Sequence, residues 1–341
     1  MKRIVEASTE ERNLIFTRTS HIKNIPLSMV EKDFWVCYVL SKIFSDGDLC
    51  KVFRFKGGTS LSKGYGLINR FSEDLDLILD KRLILENEDI FKSSYKQQRK
   101  FSDVISEKTA CYVSTVLKRK IETVLGNRVK VCTDEEYAKE EFTYNPKIID
   151  NKSLHVVYPK SANDVYLRSD ILLEIGVMSA PTPYEDRTIE SYVAEALPQL
   201  NLKKFIVPTV KPVRTFWDKA TILHREFHRP ETTHTPARYS RHYHDLYKMG
   251  HSFVKEQALS DIDLLRDVVE RKDKLYHCPW ARYEECVTGN IHLLPNENNQ
   301  DLLVEDYRAM QNMIYGEVPS WNEINEYLAE LEKAINERSM L

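Results

Sequence analysis

The chain has 341 residues, 42% hydrophobic and 30% charged, with 10 glycines and 13 prolines. That excludes a low-complexity or collagen-like polymer and leaves room for two or three globular domains. Net charge is −3, which excludes a molecule basic all over and built to coat polyanions.

No uncharged apolar run approaches the ~20 residues of a membrane span. The start, Met1-Lys2-Arg3-Ile4-Val5-Glu6, runs quickly into charge, so a cytoplasmic protein is expected. In chain order, 26–46 is predicted as a helix, with Val30, Phe34, Cys37, Leu40 and Phe44 at spacings of three and four. A strand at 52–56, a helix at 59–67 and a strand at 75–79 follow. A long helical stretch covers 94–125 and carries Lys118-Arg119-Lys120. Strands are then expected at 128–133, 153–158 and 165–177. From about 214 the pattern is mainly helical (215–228, 238–255, 257–271, 322–338), broken by turn residues at 295–299. The order predicts an α+β fold, a mixed sheet with flanking helices. The core with its N-terminal helix would span 1–211, and a mainly helical C-terminal domain 212–341.

The six cysteines are scattered without a CxxC pair and are expected reduced. Cys278 and Cys286 near His277 and His292 fit no common zinc spacing. Charge is distributed unevenly. Between Lys203 and Lys248 there are ten Lys and Arg against four acids, a local positive field suited to phosphates or nucleic acid.

Between the first strand and the following helix lies Phe55-Lys56-Gly57-Gly58-Thr59-Ser60-Leu61-Ser62-Lys63. Glycines there let backbone N–H groups approach a phosphate. Thr59 and Ser60 can donate further hydrogen bonds, and Lys56 or Lys63 can supply charge. Such a tetrapeptide is more often a plain turn. Its weight comes from the sequel, Ser72-Glu73-Asp74-Leu75-Asp76-Leu77. On a strand, residues i and i+2 share a face, so two carboxylates converge and call for a cation. Mg²⁺ held by carboxylates and substrate phosphates answers that need. Calcium loops and sugar-nucleotide transferases use the same Asp-x-Asp, but without a glycine loop upstream. A third carboxylate would complete a two-metal site. Glu174, in the apolar run Ile171-Leu172-Leu173-Glu174-Ile175, is the first candidate, and Asp170 on the same face is its rival.

The combination of Gly57-Gly58-Thr59-Ser60 with Asp74-Leu75-Asp76 resembles the nucleotidyltransferase superfamily with a DNA polymerase β-like core. Within it, the stretch from Phe55 to Tyr65 and Arg70 to Asp74 resembles the AbiEii/AbiGii abortive-infection toxins. Glu31-Lys32-Asp33-Phe34-Trp35-Val36, Arg214-Thr215-Phe216-Trp217-Asp218-Lys219 and Tyr239-Ser240-Arg241-His242-Tyr243-His244-Asp245-Leu246-Tyr247 support it. Together they cover 31 to about 250. The resemblance implies a phage-defence or toxin–antitoxin enzyme that transfers NMP from an NTP, with Mg²⁺ or Mn²⁺. The implied acceptor is RNA, a tRNA 3′ end, and the implied partner a cognate antitoxin. By position, the resemblance implies that Ser60 and Lys219 contact the NTP phosphates, that Asp74 and Asp76 hold metal, and that Asp245 completes the site. The residue reading above adds Gly57, Gly58, Thr59 and Lys63 to the nucleotide site and Glu174 to the metal site.

Read from the residues alone, Lys219 is a solvated helix lysine, and Asp245 can pair with Arg241 one turn earlier. His224 and His228 stand at i and i+4, but the acid between them is misplaced for a His-Glu-x-x-His zinc site. A catalytically silent relative, serving as an RNA- or protein-binding module, is the alternative. The joint presence of Gly57, Ser60, Asp74, Asp76 and Lys219 speaks against it.

Overall fold

The computed structural model describes residues 1–85, 95–141, 151–161, 167–233, 235–276 and 278–339. The chain divides into two compact units. One comprises Met1–Tyr65, Ser72–Glu88 and Asp103–Val210, and the other Gly66–Phe71, Asp89–Ser102 and Lys211–Leu341.

The first unit is built on a mixed sheet of seven strands. These are β1 (Phe53–Lys56), β2 (Leu75–Leu79), β3 (Lys130–Thr133), β4 (Ser153–Val157), β5 (Asp170–Gly176), β6 (Tyr184–Ile189) and β7 (Phe205–Val210), in spatial order β3-β4-β5-β2-β1-β7-β6. β2 runs parallel to β5 and antiparallel to β1, which is parallel to β7. Period-two alternation explains the strands. On β5, Ile171, Leu173 and Ile175 are buried while Glu174 is exposed. On β1, Phe53 and Phe55 are both fully buried. The helix Leu27–Ser45 buries almost its whole circumference, including Phe34, Trp35 and Leu40. The long stretch after 94 is a helix Tyr95–Tyr112, one π turn at Val113–Leu117, and a helix Lys118–Leu125.

Two strands, β6 and β7, stand where the sequence showed no clear strand pattern. Several helices were also unforeseen, among them Gln300–Met310, Thr9–Lys23, opened by a Ser8/Glu11 capping box, and Asp134–Glu140, opened by Thr133 and Glu136. Residues 165 and 166 of the expected strand at 165–177 lie outside the described residues, as does His277.

The second unit packs the helices Pro212–Phe227, Ser240–Gly250, Phe253–Ser260, Ile262–Leu275, Gln300–Met310 and Trp321–Ser339 around Trp217, Tyr243, Leu246 and Leu328. The single helix expected at 238–255 is broken where Ser252 caps a new one. Gly66–Phe71 joins this unit through backbone bonds. The Phe71 N–H donates to Met313 and the Tyr315 N–H to Asn69, while Arg70 bridges Ile314. Among the described residues no helix is long and apolar enough to cross a membrane.

Candidate active site

Gly57 opens the helix Gly57–Lys63 with φ +79°, a conformation L side chains rarely adopt. Its missing side chain matters more. A Cβ built there would stand 1.8 Å from Asp76 Oδ2 and 2.5 Å from Asp76 Cγ. The carboxylate of Asp76 therefore lies against the glycine backbone, in space only a glycine leaves open. Thr59 and Ser60 turn inward and hold this turn in shape. The Thr59 hydroxyl donates to the Asp74 carbonyl at 2.5 Å and lies 2.9 Å from Ser72 Oγ, while the Ser60 hydroxyl donates to the Gly57 carbonyl at 2.8 Å. Both side chains are buried.

Across the sheet, Lys56 on β1 pairs in register with Asp76 on β2, and Asp76 with Glu174 on β5. Register neighbours share a face, so one polar row crosses three strands. Asp74, just before β2, and Asp76 are half-buried, and Glu174 is exposed.

The two candidates for a third carboxylate differ sharply. Asp170 is 1% exposed, and its oxygens are taken by His155 Nδ1 at 2.8 Å, Tyr137 Oη at 3.0 Å and Arg168 Nε at 3.3 Å. Burial would raise its pKa, but the bond to His155 and the Arg168 charge outweigh it and hold it at about 2. His155 reaches Asp134 with its other nitrogen at 2.8 Å and stacks on Tyr137. Asp170 belongs to that internal network, whereas Glu174 stands at the surface beside Asp76.

Lys63 differs from expectation. It turns away from solvent, pairs with Asp33 at 2.7 Å, and lies over the Tyr192 ring at 4.0 Å. In the second unit, Lys219 is no solvated lysine either. Its Nζ is buried, 2.8 Å from Asp245 Oδ2 and 3.4 Å from His242 Nδ1. Asp245, fully buried, pairs not with Arg241 one turn back but with Arg70, through Nε and Nη2 at 2.7 Å each. Burial alone would raise the Asp245 carboxyl. The charges of Arg70 and Lys219 reverse this and hold it well below the usual carboxylate range.

The basic segment 203–248 does not act as one open face. Lys203 and Lys204 belong to the first unit. Arg214 pairs with Asp267, and Arg225 and Arg229 both pair with Glu226.

Among the described residues, one group of three potential ligands lies within 4.8 Å: His224, His228 and Glu285. His224 cannot ligate as it stands. The His292 N–H donates to its Nδ1 at 3.0 Å, so Nε2 carries the proton and donates to the Arg282 carbonyl at 2.9 Å. Burial pushes its pKa down to about 4, so the ring stays neutral.

Residues 38–331 match the family described as nucleotidyl transferase AbiEii toxin, type IV toxin–antitoxin system. No curated protein sequence matches this one. Among solved structures, MenT4, the nucleotidyltransferase toxin Rv2826c from Mycobacterium tuberculosis H37Rv, is similar with a TM-score of 0.42 and 14% identity, over 91% of this chain and 92% of that chain. The family match spans most of the chain, including the stretches 80–160 and beyond 255 that carried no motif. The chain belongs to the AbiEii family of nucleotidyltransferase toxins of type IV toxin–antitoxin systems, which implies a cognate antitoxin.

Proposed function

We propose that the enzyme transfers a nucleoside monophosphate from an NTP to the 3′ end of a tRNA, with Mg²⁺ held by Asp74, Asp76 and Glu174. The observation that carries the metal assignment is the row in which Asp76 lies in register with Glu174, its carboxylate against the bare backbone of Gly57. The donor set is all carboxylate oxygen, which suits a hard cation and not zinc or copper. When bound, such an ion supplies Lewis acidity toward phosphoryl oxygens and lowers the pKa of a coordinated hydroxyl.

The chain's own residues do the positioning. Gly57 and Gly58 leave backbone exposed for close approach of the triphosphate. Thr59 and Ser60 shape that turn from inside, and Thr59 fixes the backbone of Asp74. Lys56, in register with Asp76, brings a cation to the same face. Lys63, held by Asp33, supports the helix instead of reaching phosphate. The RNA acceptor rests on the family resemblance. The charge count of 203–248 adds little, since several of its cations are paired with acids.

The test incubates the protein with each labelled NTP and total RNA, with and without Mg²⁺, beside Asp76→Asn. Label should enter a tRNA-sized band only with metal and only with the parent protein. Undiminished transfer by Asp76→Asn would overturn the metal assignment. Label entering protein or a small molecule instead of RNA would overturn the acceptor.

A further inference from the structure

The helix Leu27–Ser45 buries three successive charged residues: Glu31 at 1% exposure, Lys32 at 1% and Asp33 at 2%. A buried charge is costly unless it meets a partner. Successive helix residues fan out by about 100°, so each must find its own. Glu31 accepts from the backbone and hydroxyl of Ser161. Asp33 holds Lys63 and accepts from the Tyr192 N–H.

Lys32 does something more particular. Its Nζ donates to Glu73 Oε2 at 2.6 Å and to the Arg168 carbonyl at 2.9 Å, and the Arg168 N–H donates back to the same Glu73 oxygen at 3.0 Å. Glu73 immediately precedes Asp74 at the entry to β2. Arg168 stands two residues before β5. The ammonium is also within electrostatic reach of Asp74 and Asp170. One buried cation thus ties together the entries of the two parallel strands whose register sets Asp76 beside Glu174.

We propose that Lys32 and Glu73 are positioning residues. Their closed ring with Arg168 fixes β2 against β5 and so presents Asp74, Asp76 and Glu174 as a preformed divalent-cation site. The inference rests on the reading of those three carboxylates as metal ligands. A lysine here holds the acidic edge together before any ion arrives, at a place where nearby carboxylates would otherwise push the two strand entries apart.

The test neutralises the ring without leaving a lone buried charge. Lys32→Met/Glu73→Gln removes both charges and keeps an acceptor for the Arg168 N–H. Binding of Mn²⁺ alone is followed by calorimetry, with circular dichroism and melting confirming the fold. Outer partners of metal ligands are worth roughly 10–100-fold in metal affinity, and the double variant should lose that much while still folded. A folded double variant that binds Mn²⁺ like the parent overturns the proposal. Asp76→Asn separates this from failure of the underlying reading. If the parent's Mn²⁺ binding does not depend on Asp76, the site assignment itself falls.

A second measurement needs no variant. In the parent protein, amide hydrogen exchange at Glu73–Asp76 and Arg168–Glu174 should be equally slow with and without Mn²⁺, because the ring has already set the strands. Marked slowing on adding Mn²⁺ would show that the ion, not Lys32, orders the site, and would overturn the proposal.

Discussion

Gly57→Ala separates site geometry from stability. The new methyl carbon would stand 1.8 Å from Asp76 Oδ2 and 3.0 Å from Asp76 Cβ, so rotating the carboxylate does not relieve the collision fully. The backbone at φ +79° adds strain of about 1–2 kcal/mol for a residue with a side chain. Forcing Asp76 off its rotamer adds roughly another 1 kcal/mol. A cost of about 2–3 kcal/mol follows, which lowers the melting temperature by several degrees in a domain of this size. Transfer should be lost almost entirely, because Asp76 can no longer occupy its place. Gly126→Ala is the comparison. Gly126 has φ 77° and ψ −174°, a conformation nearly confined to glycine, yet nothing lies within 4 Å of its would-be Cβ. It should cost about 1–3 kcal/mol and leave the rate per folded molecule intact. Melting curves and labelled-NTP transfer, run on both, decide the matter. If Gly57→Ala retains transfer to the extent that Gly126→Ala does, the packing of Asp76 against the glycine has no functional weight.

Two more perturbations test the second unit. Asp245→Asn leaves the Arg70 and Lys219 cations buried and facing each other, and removing one partner of a buried pair costs about 3–5 kcal/mol. Lys219→Met should cost less, since Arg70 still grips Asp245 through two bonds. Equal melting of Asp245→Asn and the parent would show that the triad holds nothing. His224, kept neutral with its pKa at about 4 against an ordinary 6.5, makes stability depend on acid. As pH falls from about 6.5 toward 4, the unfolded chain takes up a proton that the folded ring refuses. Stability then drops by up to about 3 kcal/mol, at roughly 1.4 kcal/mol per pKa unit. The fall in melting temperature over that window should be shallower in His224→Gln, and an identical slope would rule out His224 as its source.

Local signals carried the core of the fold and much of the site. The Leu27–Ser45 helix, β1, the glycine helix and β2 followed from period and from glycine placement, and the Asp-x-Asp stood out because two acids on one strand face need a reason to be there. What escaped the sequence was long-range. Nothing local in Arg70 announces Asp245, 175 residues away, and the helical period around Asp245 suggested Arg241 instead. The pairing of Asp76 with Glu174 depends on β5 lying parallel to β2, a matter of topology that no single strand encodes. Other misses left a mark that could have been read. Ser8 and Glu11, like Thr133 and Glu136, have the spacing of a capping box and open two of the helices that went unforeseen. Glu31-Lys32-Asp33 sits inside an otherwise apolar helix, and three charges there imply partners to be found elsewhere.

The same reasoning explains why charge counting misjudged residues 203–248. Pro212–Phe227 buries residues around most of its circumference, among them Arg214, Lys219 and Glu226. A helix covered on nearly all sides is interior, and cations in an interior come with acids attached. Arg214 has Asp267, Lys219 has Asp245, and Arg225 and Arg229 share Glu226. Two of the four acids that the count subtracted, Glu226 and Asp245, and one outside the window, Asp267, are thus spent on particular cations, and those four cations add little to a surface field. For the RNA acceptor proposed above, attraction has to come from cations that face solvent, Lys203 among them. Which cations those are is decided by burial, and burial follows from the apolar residues around each charge, not from the charges themselves.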